Sequence, residues 1–136
     1  RHVNTFGGNP TACALAIRNL QIMDDEELPE RSRVMGERLL AELSELSDHP
    51  NVGQIRGRGL LAGIELVEDK ETKAPVSADK VAKVISGCKE RGLIVGKNGD
   101  TVAGFNNVVT LAPPLVVTDE DLAFIVETLK ESVRSL

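Results

Sequence analysis

Thr5, Phe6, Gly7 and Gly8 stand in a row directly ahead of Asn9 and Pro10. Residues of these types in this order suit one kind of chemistry, the holding of an anion. Asn9 is a helix-capping residue, and Pro10 fits a first helical position, where its missing N–H is not needed. A helix starting there points unsatisfied N–H groups and the positive end of its dipole at whatever lies in front of it. The two glycines let backbone donors come close to a ligand, and Thr5 adds a short hydroxyl. The same residues also suit an ordinary glycine-containing helix entry that binds nothing. His2 lies three residues before Thr5.

The other charged and reactive residues offer less. Arg56 and Arg58 are two apart on a predicted strand and share a face. They can meet an acidic substrate or pair with acidic residues of another domain. Gly57-Arg58-Gly59 lacks the Gly-Lys-Ser/Thr ending of a phosphate loop. Asp24, Asp25, Glu26, Glu27 and Glu30 form an acidic run that suits a solvated helix junction, while Asp119, Glu120 and Asp121 suit a helix's first turn. Two cysteines and two histidines lack the number and spacing of a zinc site, so no metal is expected. Cys13 and Cys88 are expected to be small buried residues. With no disulfide framework, a reduced, cytoplasmic protein is expected. A net charge of −5 and an aromatic set of three Phe argue against nucleic-acid binding. No apolar run approaches the roughly 20 residues that span a bilayer, so no membrane partner is expected.

These residues need elements to position them. Ala12, Leu15, Ala16, Leu20 and Met23 recur near helical spacing after Pro10, and a second helix runs from about 30 to 47 through Val34, Leu39, Leu40, Leu43 and Leu46. The acidic break at 24–29 is the expected hinge. Residues 52–58 read as a strand, and 60–67 as a largely apolar strand expected to be buried on both faces. An amphipathic helix over 78–91 stops at Gly92. Short strands follow at 93–95 and 108–111, the second closed by Pro113-Pro114. Thr118 caps a last helix, with Asp121 as its capping-box partner. The order predicts an α+β fold: two helices, then a small, mostly antiparallel sheet with helices on one face. Residues 1–50 are expected to form a helical connection to a further domain, and 51–136 a small domain.

Four blocks, in order, carry a resemblance. His2-x-x-Thr5-Phe6-x-Gly8-Asn9-Pro10-x-Ala12 resembles the segment after the cofactor lysine in class III aminotransferases, which use pyridoxal 5′-phosphate. Arg56-Gly57-Arg58-Gly59-Leu60-Leu61-x-Gly63-Ile64-Glu65-Leu66 resembles that family's small-domain strand pair. Arg91-Gly92-Leu93-Ile94 and Pro113-Pro114-Leu115 with Thr118 are similar to its C-terminal end.

The resemblance implies the C-terminal part of the aminotransferase fold, in a homodimer. It implies that Thr5 hydrogen-bonds the cofactor phosphate in the neighbouring subunit's site, that Gly7 and Gly8 permit its close approach, and that Phe6 lines the cleft. It places the lysine that holds the cofactor covalently upstream of the motif. Lys70, Lys73, Lys80, Lys83, Lys89, Lys97 and Lys130 all lie downstream, so no catalytic residue is expected within 1–136, and the chain alone is expected to be inactive. Some relatives carry a substrate-binding arginine where Gly96 stands, others one within 109–111; neither is present here. The 97–107 segment is most similar to pyruvate-dependent members acting on ω-amino acids, taurine among them. Lys97 is either a point-charge contact for a substrate carboxylate or sulfonate or a solvated turn lysine. The expectation is therefore a piece of a longer enzyme that moves an amino group from an ω-amino acid or amine to an α-keto acid such as pyruvate. The rival is a free-standing small-molecule-binding or dimerisation module.

Overall fold

The computed structural model of the chain describes residues 5, 7–99 and 102–136. His2 and Phe6, named above with the anion motif, lie outside the described residues, as do Asp100 and Thr101. Two helices come first, α1 (Pro10–Asp25) and α2 (Leu28–Leu43), and a short 3-10 helix, Ser44–Asp48, extends the second. Then follow β1 (Val52–Arg58), β2 (Leu61–Leu66), α3 (Ala78–Glu90), β3 (Gly96–Lys97), β4 (Val108–Leu111) and α4 (Asp119–Arg134). The sheet order is β1-β2-β4-β3, with every neighbouring pair antiparallel. This is the expected α+β order.

Local chemistry sets the ends of these elements. Ser77 caps α3 by accepting from the Lys80 N–H, and Gly92, at φ +89°, ends the segment that follows it. Thr118 and Asp121 form a full capping box on α4: Thr118 Oγ1 accepts from the Asp121 N–H at 3.1 Å, and Asp121 Oδ2 accepts from the Thr118 N–H at 3.4 Å. Gly59 turns the β1–β2 hairpin at φ +54°. The tip of that hairpin lies directly on α2, because a Cβ on Gly36 would fall 2.2 Å from the Gly59 carbonyl carbon. Arg31 ties α2 to the connection ahead of α4 by donating to the carbonyls of Leu115 and Val117.

The register sorts the sheet into two faces. Ile55, Ile64, Val109 and Lys97 stand opposite one another on one face, and Arg56, Gly63, Thr110 and Gly96 on the other. The first face packs under α2, α3 and α4. Leu39, Leu43, Ile64, Val84, Val109, Leu122, Val126, Leu129 and Val133 are all fully buried there. Leu39, Leu43 and Leu46 thus share a core with the sheet, whereas α1 contributes no buried residue.

Four local expectations change. The 60–67 run is not buried on both faces: Ala62, Ile64 and Leu66 point inward, while Leu61 is 64% exposed. All the packed helices lie on one side of the sheet, so the outward positions of an apolar run stay uncovered. The strand expected at 93–95 forms instead at Gly96–Lys97, because pairing with β4 selects the Gly96–Thr110 register over the β-propensity of Ile94 and Val95. Helix α2 is α-helical only to Leu43 and tightens to 3-10 geometry beyond it. Cys88 is buried, as expected, but Cys13 is exposed because nothing among the described residues covers the first turns of its helix.

Candidate functional site

The start of α1 is built as the sequence predicts. Asn9 adopts an extended conformation (φ −63°, ψ 120°), and its Oδ1 accepts from the Ala12 N–H at 3.1 Å. Its carbonyl accepts from the Cys13 N–H at 2.9 Å. Pro10 has no N–H, so the Thr11 N–H is the first-turn donor left without an acceptor among the described residues. Gly8 sits at φ +81°, a conformation that favours glycine, and a Cβ there would meet nothing within 4 Å. The space beside Gly8 is therefore open among the described residues, and Thr5, Gly7 and Gly8 are exposed.

Electrostatics favour an anion there. The first turn of α1 carries no acidic residue, whereas α2 has Glu30, α3 has Asp79 and α4 has Asp119, Glu120 and Asp121. At those three helices a carboxylate already answers the positive end of the dipole. At α1 no carboxylate among the first-turn residues answers the dipole, and Thr5, Gly7 and Gly8 ahead of it are exposed. A donor set without a competing carboxylate fits the oxygens of a phosphate, and so fits the phosphate end of pyridoxal 5′-phosphate.

Beyond its cap, α1 is a largely bare apolar surface. Leu15, Ile17 and Leu20 are each more than half exposed. The acidic junction at its end holds Glu27 in the left-handed region (φ 49°), which turns the chain sharply from α1 into α2.

The remaining predicted residues fall in three places. Arg56 is paired within this chain: its Nη1 donates to Glu65 Oε2 at 2.8 Å and to Gln54 Oε1 at 3.0 Å. Its acidic partner among the described residues is therefore Glu65 of the neighbouring strand, reached across the pleat. Arg58, on the same face, has no partner among the described residues. Gly96 and Thr110 stand opposite each other, so the first arginine position marked by the resemblance pairs, on one rung of the sheet, with the 109–111 stretch in which the other falls. A Cβ on Gly96 would lie 2.4 Å from Thr110 Oγ1. Beside that rung lies an apolar cleft of about 450 Å³ reaching Leu93, Pro113 and Ile125. Lys97 points the other way, into a groove with Lys89 on the side where the helices pack. Lys89 was missed in the sequence, although it follows Ile85 by four residues and so shares its helical face.

Titratable groups elsewhere are structural. Burial works against the charge of Lys130, which is 3% exposed, but hydrogen bonds from its Nζ to Glu45 Oε2 (2.8 Å) and Glu127 Oε1 (3.2 Å) more than reverse that, and its pKa rises. Burial pushes the Cys88 thiol above its ordinary value, which makes it a poor nucleophile. Among the described residues no group of three or more His, Cys, Asp or Glu side chains is placed to hold a metal ion, and no helix is long and apolar enough to cross a membrane.

Comparison with known proteins agrees with this geometry. Residues 1–133 match the family model "Aminotransferase class-III". An uncharacterised aminotransferase of Bacillus subtilis, YhxA, is 64% identical over 136 residues, covering all of this chain and 30% of that protein. The taurine–pyruvate aminotransferase of Rhodobacter capsulatus is 37% identical over 137 residues, again covering all of this chain and 30% of that protein. Among solved structures, a Bacillus anthracis aminotransferase superposes with a TM-score of 0.94 at 58% identity, covering all of this chain and 30% of that one. The chain thus spans about 30% of the length of each of these relatives.

Proposed function

We propose an amino-transfer role for this chain, which belongs to the class III aminotransferase family: it grips the phosphate of pyridoxal 5′-phosphate at the start of α1, as part of a longer, dimeric, cytoplasmic enzyme. The observation that carries the reading is the open, acid-free start of α1, where Thr5 and Gly8 stand exposed ahead of a capped helix. Thr5 donates its hydroxyl proton to a phosphate oxygen. Gly7 and Gly8 add backbone N–H donors without a side chain in the way, and the dipole of α1 favours the dianion. When bound, the cofactor supplies the carbonyl and the electron sink that amino transfer needs.

No catalytic residue is assigned to this chain, since the resemblance puts the covalent lysine ahead of the His2–Pro10 motif. The bare apolar face of α1 and the outward face of the sheet are the surfaces on which the remainder of such an enzyme packs. Residues 1–50 then join that remainder to the 51–136 unit, whose core α2 shares.

The amino donor is an ω-amino acid or an amine, and the acceptor an α-keto acid such as pyruvate. Two features support this class. The Gly96–Thr110 rung offers no arginine to a second carboxylate, and the cleft beside it is apolar. A relative at 37% identity is a taurine–pyruvate aminotransferase. The test is an assay of the full-length protein with taurine, β-alanine and a simple primary amine, each with pyruvate, following alanine formation. Alanine from at least one of these donors, dependent on added pyridoxal 5′-phosphate, is the expected result. Failure of all three removes the assignment of the donor class.

A further inference from the structure

The chain has seven lysines, all within the described residues. Five have a partner. Lys70 donates to the Ser47 carbonyl, Lys73 to the Gly53 carbonyl and Lys83 to the Ser135 carbonyl, while Lys80 pairs with Glu68 and Lys130 with Glu45 and Glu127. The two without a partner among the described residues, Lys89 of α3 and Lys97 of β3, line the same groove of about 280 Å³. Ala78, Val81 and Ile85 form its apolar wall, and Asn106 its polar edge. In a chain of net charge −5, this lines one small space with two lysines that have no acidic partner among the described residues. Like charges facing one cavity repel each other unless an anion lies between them.

We propose that this groove binds a small amphipathic anion: one carboxylate or sulfonate on a short apolar tail, with no amino group. The two ammonium groups take the acid, the α3 wall takes the tail, and a ligand ammonium would be repelled. The volume sits at the low end for ligand pockets, which restricts the tail to a few carbons. The lining of this groove shares no residue with that of the cleft beside the Gly96–Thr110 rung, so it is separate from that cleft. The ligand class differs from an ω-amino donor in lacking the amine.

The test uses the full-length protein with its cofactor, and hexanoate as the probe, followed by titration calorimetry. Hexanoate binds with a dissociation constant on the order of millimolar, as its eight non-hydrogen atoms allow. Lys89→Gln and Lys97→Gln each weaken it roughly two- to fivefold, the range for a solvent-accessible charge contact. Hexanamide and 6-aminohexanoate bind more weakly than hexanoate, and added salt weakens hexanoate further. Equal binding of hexanamide, unchanged affinity in both variants, or no binding of hexanoate would each overturn the proposal. A second readout keeps the two readings apart: Lys89→Gln leaves the KM for the amino donor unchanged. Hexanoate binding with no amino transfer would overturn the enzymatic reading and leave the groove standing. A raised donor KM in Lys89→Gln would assign the groove to the donor and overturn the separate site.

Discussion

Two helix starts in this molecule are opposites. That of α4 is closed on itself: Thr118 and Asp121 satisfy each other's backbone N–H groups, three carboxylates answer the dipole, and the helix beyond packs into the core through Leu122, Val126, Leu129 and Val133. That of α1 is open. It has a single side-chain cap from Asn9, no acid in its first turn, exposed Thr5 and Gly8 in front, and a helix beyond with no buried residue. The same backbone physics governs both ends. What differs is whether the chain supplies its own negative charge and its own cover, and a helix given neither is shaped to receive both from elsewhere.

The largest expected effect is on stability. Leu129→Ala removes a fully buried side chain of α4 and costs about 2–5 kcal/mol, whereas Leu15→Ala on α1, 68% exposed, changes the unfolding free energy of the isolated chain by less than about 0.5 kcal/mol. Urea denaturation of the three proteins measures both. An equal loss from the two would dissolve the contrast between the helices.

Next is Gly36→Ala, which drives a Cβ into the backbone of Gly59 and costs about 1–3 kcal/mol or more. Gly96→Ala meets only the Thr110 hydroxyl, which can rotate away, and costs less. Thermal melts rank the pair.

The caps come third. Thr118→Ala lowers global stability by about 1 kcal/mol. Asn9→Ala removes the cap of a helix outside the core, so it lowers helicity by circular dichroism without moving the urea midpoint of the isolated chain.

Smallest is a pH effect. Burial, with help from Lys70 and Arg134, holds His49 below its ordinary value of 6.5, and its Nδ1 accepts from the Asn51 N–H at 3.2 Å. A lowered folded value means that the unfolded chain binds the proton more readily. Stability is therefore intact above pH 6.5 and falls as the pH drops through 6.5 toward the folded value. His49→Asn keeps an acceptor for that N–H and flattens the slope between pH 6.5 and 5 in denaturation midpoints. Glu45 and Asp69, held low by the Lys130 hydrogen bond and by the Thr72 N–H respectively, add losses of the same sign at lower pH.

Local chemistry was readable from the residues alone. Asn9-Pro10, Ser77, Gly92 and the Thr118–Asp121 box each act over a few positions, and the helical stripe of α4 names its own buried residues. What lay hidden depends on partners far away in the chain. The outward exposure of Leu61 follows from which side of the sheet α2, α3 and α4 occupy. The two-residue strand at Gly96 exists only because Thr110 pairs with it. The Arg56–Glu65 pair needs the β1–β2 register, and the meeting of Lys89 with Lys97 needs α3 laid beside β3. In the site itself, the capped helix and its glycines were legible, but the openness in front of Gly8 and the bareness of α1 required the packing of everything else.

The central claim is that the start of α1 is built to hold a phosphate, and one comparison addresses it. The cofactor-free full-length protein is titrated with pyridoxal 5′-phosphate and with pyridoxal, and the ratio of the two affinities is measured in the native protein and in Thr5→Ala. The loss of a charge-assisted hydrogen bond lowers the preference for the phosphate-bearing form by roughly tenfold or more, with pyridoxal affinity unchanged. A preference that is the same in both proteins would contradict the account.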